Sequence, residues 1–175
     1  EPPVVGVIEA SEQEVNPFFE FVGKTAAAET VALRARVTGF LEARGFKEGG
    51  MVEAGQVLFS IEPQQYEALV AQAEGELAAA RASLNRAEVD LVRYKDLLKS
   101  KSVPEMKVDE TQAEVLVQTA AVAQAEAALD KAKLDLSYTN ITAPISGRIG
   151  LAGLDVGNLV SPESGVLATI NNTDP

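Results

Sequence analysis

The stretch TGFLEARGFKEGGMVEAGQVLFSI, Thr38 to Ile61, decides the fold because SGRIGLAGLDVGNLVSPESGVLATI, Ser146 to Ile170, echoes it much later in the same chain. Gly39, Leu41, Gly49 and Val52 meet Gly147, Ile149, Gly157 and Val160 at one constant offset, and after one inserted residue Leu58 and Ile61 meet Leu167 and Ile170. Glycines recurring between alternating apolar residues predict short strands separated by turns that need positive φ or a close backbone approach. Each copy alone is too small to bury a core. Two copies burying their apolar faces against each other make a small sandwich, so the split repeat predicts one folded unit.

The text between the copies changes character. From Glu62 to about Lys99 it is rich in Ala, Leu, Glu, Gln and Arg, all good helix formers. Val70, Ala73, Leu77, Ala80, Leu84, Ala87, Leu91, Tyr94 and Leu98 alternate at steps of three and four, which is a heptad seam. From about Val103 to Ser137 the pattern returns, with Val108, Val115, Val122, Leu129 and Leu136 one heptad apart and Ala125 and Ala132 between them. The break KSKSVPE is long enough only for an antiparallel turn. Within it Ser102 and Glu105 fit a capping box, and Pro63 suits the first turn of the earlier helix. The insert therefore predicts a helical hairpin whose arms, at 1.5 Å per residue, extend roughly 50 Å as a spacer. Small Ala at one seam position lets the arms approach closely.

Composition narrows the function. The chain has 175 residues, 15 basic against 26 acidic, a net charge of −11, no cysteine and no histidine. That balance argues against nucleic acid or an anionic membrane as a partner. The missing thiol and imidazole remove disulfides, the commonest general base and the commonest metal ligand, which lowers the prior for an enzyme. No cofactor is expected. No apolar run approaches the roughly 20 residues of a membrane span, and the N-terminal EPPVVGVIEASEQEV has neither the basic start nor the apolar core of a signal peptide.

Several features have plain readings. Met106-Lys107 and the glycine-rich halves are similar to biotinyl and lipoyl carriers, but there the modified lysine caps a tight strand–strand turn, whereas Lys107 falls on the first turns of a helix. Glu9, Glu12, Glu14, Glu20 and Glu29 are scattered and read as solvated acidic surface. NPFFEFVGKT reads as a strand with Phe19 and Phe21 on one face and Phe18 and Glu20 on the other, packed in a core or between domains. The sequons at Asn140 and Asn171 carry no assigned role.

With two lipoyl-like halves around a hairpin, the chain resembles the periplasmic adaptors, or membrane fusion proteins, of resistance-nodulation-division (RND) multidrug efflux pumps. The likeness rests on VTGFLEARGFKEGGMVEAGQVLFSIEPQQYEA before the hairpin and LDLSYTNITAPISGRIG after it. It implies an α+β fold: a lipoyl-like β-sandwich (barrel-sandwich hybrid) built from two split halves, with a long antiparallel α-helical coiled-coil hairpin inserted between them. It divides the chain into an N-terminal segment, 1–30, offering the first strand of a β-barrel domain near Val15 to Thr25; a first lipoyl-like half, 31–62; the hairpin, 63–138; a second half, 139–171; and 172–175, the start of a linker to that barrel. The turns of the lipoyl-like unit are Gly39, Gly49, Gly55, Gly147 and Gly157, and its hairpin seam is Leu77, Leu84, Leu91, Val115, Val122 and Leu129.

The resemblance also implies a function. Such adaptors are not enzymes; they form a ring, hexameric in the full assembly, joining an inner-membrane proton-driven RND transporter to an outer-membrane channel. They sit in the periplasm, held at the inner membrane by an N-terminal anchor outside this sequence. The hairpin tip meets the channel through an arginine, a leucine four residues later and a serine seven beyond. Arg93 and Leu97 match, as does a downstream aspartate at Asp109; the serine position is Pro104, with Ser102 two residues away as a substitute hydroxyl. The alternatives are an adaptor of a type I secretion or ABC-type export system, a biotinyl or lipoyl carrier, and a self-associating coiled coil.

Overall fold

The computed structural model describes residues 1–12, 14, 18–23 and 26–172. Its elements run β1 (Glu29–Leu33), β2 (Gly39–Arg44), β3 (Met51–Val52), β4 (Val57–Ile61), α1 (Gln64–Lys99), α2 (Glu105–Ser137), β5 (Asn140–Thr142), β6 (Gly147–Ile149), β7 (Leu159–Val160) and β8 (Ala168–Asn172). The strands form two four-stranded sheets of order β1-β8-β6-β3 and β5-β4-β2-β7, with every pairing antiparallel.

The repeat explains this order. Replacing each strand by its counterpart in the other half (β1 by β5, β2 by β6, β3 by β7, β4 by β8) turns one sheet into the other. The molecule thus has an internal two-fold pseudo-symmetry. The two halves do not each form a sheet and then stack, as the echo alone suggested; each sheet takes two strands from each half. The hydrogen bonds repeat with the strands: Gly45 N–H donates to Leu58 O at 2.8 Å, as Gly153 N–H does to Leu167 O at 2.7 Å. Gly49 N–H reaches Ile149 O at 3.0 Å, and Gly157 N–H reaches Leu41 O at 2.7 Å. Interleaving leaves neither half able to close its sheets alone, so the insert between them must return the chain to its starting point.

The core follows from the same repeat. Leu41, Ile149, Val52, Val160, Leu58, Leu167, Ile61 and Ile170 are each 3% exposed or less. Leu33, Ala35, Val37, Phe59, Ala143 and Ala168 complete the buried cluster, with the Phe46 ring set edge-on to Phe59 at 5.1 Å. Each fully buried aliphatic side chain contributes about 1.5–3 kcal/mol relative to exposure, which makes these positions the main stabilising element of the sandwich.

Helices α1 and α2 run antiparallel against each other. Glu74 meets Lys133 at 3.7 Å, Arg81 meets Glu126 at 2.8 Å and Lys95 reaches Gln112 at 3.4 Å, one residue number rising as the other falls. Leu77, Ala73 and Leu129 are buried, with Val70, Val122, Ala125 and Ala132 packed on them. Leu91 and Ala87 are also buried, whereas Leu84 and Val115 are half-buried. A two-helix contact covers one stripe on each arm, so every other face stays open to solvent.

The base of the hairpin is clasped to the sandwich. Tyr66, in the first turns of α1, donates its hydroxyl to Thr38 O at 2.7 Å and accepts from Thr38 N–H at 3.2 Å. Opposite it, the buried Thr139 accepts from Ile61 N–H through its carbonyl at 2.8 Å. Tyr66→Phe removes both contacts of the clasp without changing ring packing. The expected loss is about 1–2 kcal/mol, read as a lower urea midpoint at unchanged slope.

Three expectations need correction. Ser102 does not cap α2: the N-cap is Pro104, extended and without a side-chain cap bond. The reason is register, because helical geometry begins only at Glu105. Ser102 instead closes α1, its N–H bonding Leu97 O at 2.9 Å while Lys101 N–H bonds Leu98 O at 2.9 Å, the two bonds of a Schellman motif. Lys101 holds the left-handed position with φ 53°, a conformation that disfavours a Cβ. Lys101→Gly is therefore expected to raise the stability of the hairpin turn by about 0.5–1 kcal/mol, seen as slower amide exchange at residues flanking the turn.

The second correction concerns the phenylalanines. Residues 18–23 form no strand, and Phe18, Phe19 and Phe21 are 85%, 77% and 88% exposed, with the Phe19 and Phe21 rings 6.5 Å apart. A strand needs a neighbour for its backbone groups, and none of the sheets borders this segment. The remainder of the expected strand, 15–17 and 24–25, lies outside the described residues. Third, the strand boundaries reach further than the sequence suggested, since β1 already begins at Glu29 and β8 still includes Asn172.

Candidate functional site

The far end of the hairpin holds the residues singled out for docking. Arg93 and Leu97 are one helical turn apart on α1 and share a flank. The Arg93 guanidinium bonds Asp90 Oδ1 at 3.1 Å and is 63% exposed. Leu97 is half-buried, and its carbonyl accepts both Ser102 N–H and the Ser100 hydroxyl at 2.9 Å. The Ser102 hydroxyl is 2.9 Å from that of Ser100, which orders the turn and leaves Ser102 exposed. Pro104 is exposed at the start of α2. Asp109 is exposed too, but its heptad position puts it on the opposite flank, that of Arg81–Glu126. Leu97, Ser102 and Pro104 therefore lie at the turn, Arg93 one helical turn further down α1 on the flank of Leu97, and Asp109 on the other flank.

Lys107 behaves as a helical surface residue. Its Nζ bonds Glu110 Oε2 at 2.8 Å and lies 5.7 Å from the centre of the Tyr94 ring. That hydrogen bond, together with the carboxylate charge, raises its pKa above the ordinary lysine value, as Asp96 does for Lys99. For a cation raised on folding, the contribution is fully present below the unfolded pKa and is lost as pH rises through the folded one. Both ion pairs are thus constant through neutral pH.

The hairpin has two unlike flanks. Outside the Glu74–Lys133 and Arg81–Glu126 pairs, helical spacing lines up Ala78, Ala82, Val89 and Val92 on α1 with Leu116, Ala120, Ala123 and Ala127 on α2, all exposed. The opposite flank carries Arg86, Asp90 and Arg93 on α1 and, along α2, Glu114, Gln124 and Lys131 together with the exposed Val117. The first flank is thus rich in small and apolar residues, interrupted by Asn85, Asp109 and Asp130, and the second carries more charge.

In the sandwich, the turn glycines divide by role. Gly49, Gly55 and Gly157 have φ of 70°, 86° and 91°. Gly39 and Gly147 are required by proximity, since an added Cβ would lie 2.6 Å from Ile61 Cγ2 and 2.5 Å from Asn171 O respectively. Sequence reading missed Gly45 and Gly153, where a Cβ would lie 2.5 Å from Val57 O and Val166 O. They obey the same repeat offset as Gly39 and Gly147, which is the signal that finds them. Among the described residues no group of three acidic, cysteine or histidine side chains could hold a metal ion.

Residues 29–170 match the family model described as RND MFP, barrel-sandwich hybrid domain. The chain belongs to the RND membrane fusion protein family. Members of this family are transport components rather than enzymes. Multidrug resistance protein MdtA of Erwinia amylovora is 41% identical over 174 residues, covering 99% of this chain and 43% of that protein. Multidrug efflux pump subunit AcrA of Escherichia coli K12 is 37% identical over 174 residues, covering 99% and 44%. The chain thus spans less than half the length of these relatives. Among solved structures, ZneB from Cupriavidus metallidurans matches with a TM-score of 0.60 at 23% identity, over 83% of this chain and 62% of that one. MacA from Actinobacillus actinomycetemcomitans gives 0.60 at 22% identity, over 83% and 50%. These two likenesses concern the fold alone. No helix among the described residues is long and apolar enough to cross a membrane.

Proposed function

We propose that this membrane fusion protein is the periplasmic adaptor of a tripartite efflux pump, linking an inner-membrane proton-driven RND transporter to an outer-membrane channel for export of drugs or other toxic compounds. What supports the reading is the antiparallel pair of long helices, α1 and α2, that stands between the two halves of an interleaved sandwich of this family. Its 36-residue first arm reaches roughly 50 Å from a clasped base to a turn with Leu97, Ser102 and Pro104, and Arg93 lies one helical turn before Leu97. A spacer with a defined tip bridges two partners, and the relatives' names, a multidrug resistance protein and a multidrug efflux pump subunit, supply the class of cargo. The protein sits in the periplasm, held at the inner membrane by an N-terminal anchor.

Copies assemble laterally into a hexameric ring. A ring is closed by head-to-tail contacts that join one flank of a copy to the other flank of the next, and two differing flanks are compatible with such a contact. A tip presents little area, so one copy binds the channel weakly and the ring supplies strength through effective concentration.

Crosslinking in cells tests the reading. Single cysteines replace Arg93, Leu97 or Ser102 in the full-length protein, which has no cysteine in this part to confuse the result. The expected product is an outer-membrane channel adduct at tip positions and none at Ala82, midway along α1. Adducts that are absent from every tip position, or equally strong at Ala82, remove tip docking.

A further inference from the structure

A cleft of about 700 Å³ lies where the open edge of β1 in one sheet approaches β5, the open edge of the other, beside the end of α2. Its walls combine Val31, Ile141 and Pro144 with Arg34, Arg36 and Tyr138. Leu33, Ala35 and Val37 alternate with the arginines and are buried, so Arg34 and Arg36 project together on the other side of the chain. The Arg36 guanidinium stacks over the Tyr138 ring at 4.8 Å, which holds its donor fork in place.

The two arginines stand side by side in the cleft. Arg44, Arg81 and Arg93 each pair with a carboxylate. Among the described residues neither Arg34 nor Arg36 is neutralised by one, a lack they share with Arg86 on α1 and with Arg148, whose Nε donates to Gly49 O, although the chain carries 26 acidic residues against 15 basic. Two neighbouring guanidinium groups beside apolar wall, without a counter-charge, favour a ligand that brings both an anion and an apolar body.

We propose that this cleft binds a small amphiphilic organic anion, its carboxylate or sulfonate held by Arg34 and Arg36 and its apolar body laid against Val31, Ile141 and Pro144. The concave shape and volume match a drug-sized molecule better than a protein surface. The site stands apart from the hairpin tip and does not depend on channel docking.

The test uses the 175-residue chain with 6-fluoro-2-naphthoate as probe and the neutral 6-fluoro-2-naphthamide as control, followed by ¹⁹F line broadening. Saturable binding of the naphthoate below about 1 mM is expected, with the amide about tenfold weaker or more. Arg34→Gln/Arg36→Gln is expected to weaken the naphthoate about tenfold at an unchanged circular-dichroism melt, and added salt weakens it further. Tyr138→Leu, which keeps both charges, is expected to weaken it less. Equal affinity for amide and acid, no saturable binding, or a folded double glutamine variant that binds like the parent overturns the proposal. So does self-association of the parent chain that the double variant loses, because the arginines would then be holding a second copy.

Discussion

Gly45→Val is expected to unfold the sandwich, and Gly153→Val to do the same by the same amount. A Cβ at Gly45 would sit 2.5 Å from Val57 O, and one at Gly153 would sit 2.5 Å from Val166 O. Both obstacles are backbone atoms, and each glycine N–H also donates to the next residue along, Leu58 O or Leu167 O. Neither strand can back away without breaking that bond. The clash therefore forces a choice between a displaced backbone and loss of that hydrogen bond, a cost of about 3 kcal/mol or more. For a domain whose whole stability is about 5–15 kcal/mol, that is enough to populate the unfolded state. Gly49→Ala is the control: nothing lies within 4 Å of its Cβ, but its φ of 70° is strained for alanine, so about 1–2 kcal/mol is expected. Urea unfolding of the three variants should rank Gly45 and Gly153 together, well below Gly49. Gly45→Val within 1 kcal/mol of the parent, or a Gly153 variant of quite different cost, would count against both the close approach and the pseudo-symmetry.

The equivalence of those two glycines was open to reading in the sequence, because Gly45 and Gly153 share the offset of Gly39 and Gly147. Periodicity also gave the eight deeply buried positions of the repeat and the seam positions Leu77, Leu91 and Leu129. What it could not give was which strand pairs with which. Alternation fixes the buried face of a strand but not its neighbour, so the stacking of one half on the other was as compatible with the text as the interleaving observed. The hairpin turn failed for a different reason: Ser102 and Glu105 have the spacing of a capping box, but the demand of α1 for two terminal carbonyl partners, Leu97 and Leu98, is met first. At the candidate site, Arg93 and Leu97 were placed by resemblance and do share a flank, whereas Asp109 could not be placed without knowing which residues of α2 face Arg81 and Lys95. Arg34 and Arg36 alternate visibly with Leu33, Ala35 and Val37, yet their lack of a carboxylate partner is a property of the fold.

Arg93→Glu in the full-length protein is expected to abolish export while leaving the fold intact. The Arg93–Asp90 pair is exposed, and exposed pairs contribute about 0–1 kcal/mol, so abundance and melting should change little. In the proposed docking, by contrast, replacing the arginine with a carboxylate turns an attractive contact with the channel into a repulsive one, about 1–3 kcal/mol for each copy. In the proposed ring all tips engage together, so per-copy losses add in free energy and assembly falls by orders of magnitude. The readout is drug sensitivity at the level of a strain lacking the protein, with normal amounts of the variant in the periplasm. Lys47→Glu is the matched control: Lys47 is an exposed cation of the sandwich, away from the tip and from both hairpin flanks, so resistance should persist. A charge reversal on the channel that restores resistance to Arg93→Glu but not to a Leu97 variant would locate the contact at that side chain. Full resistance with Arg93→Glu at normal abundance would mean that the arginine does not carry docking, and the turn formed by Ser100, Ser102 and Pro104 would be the next surface to test.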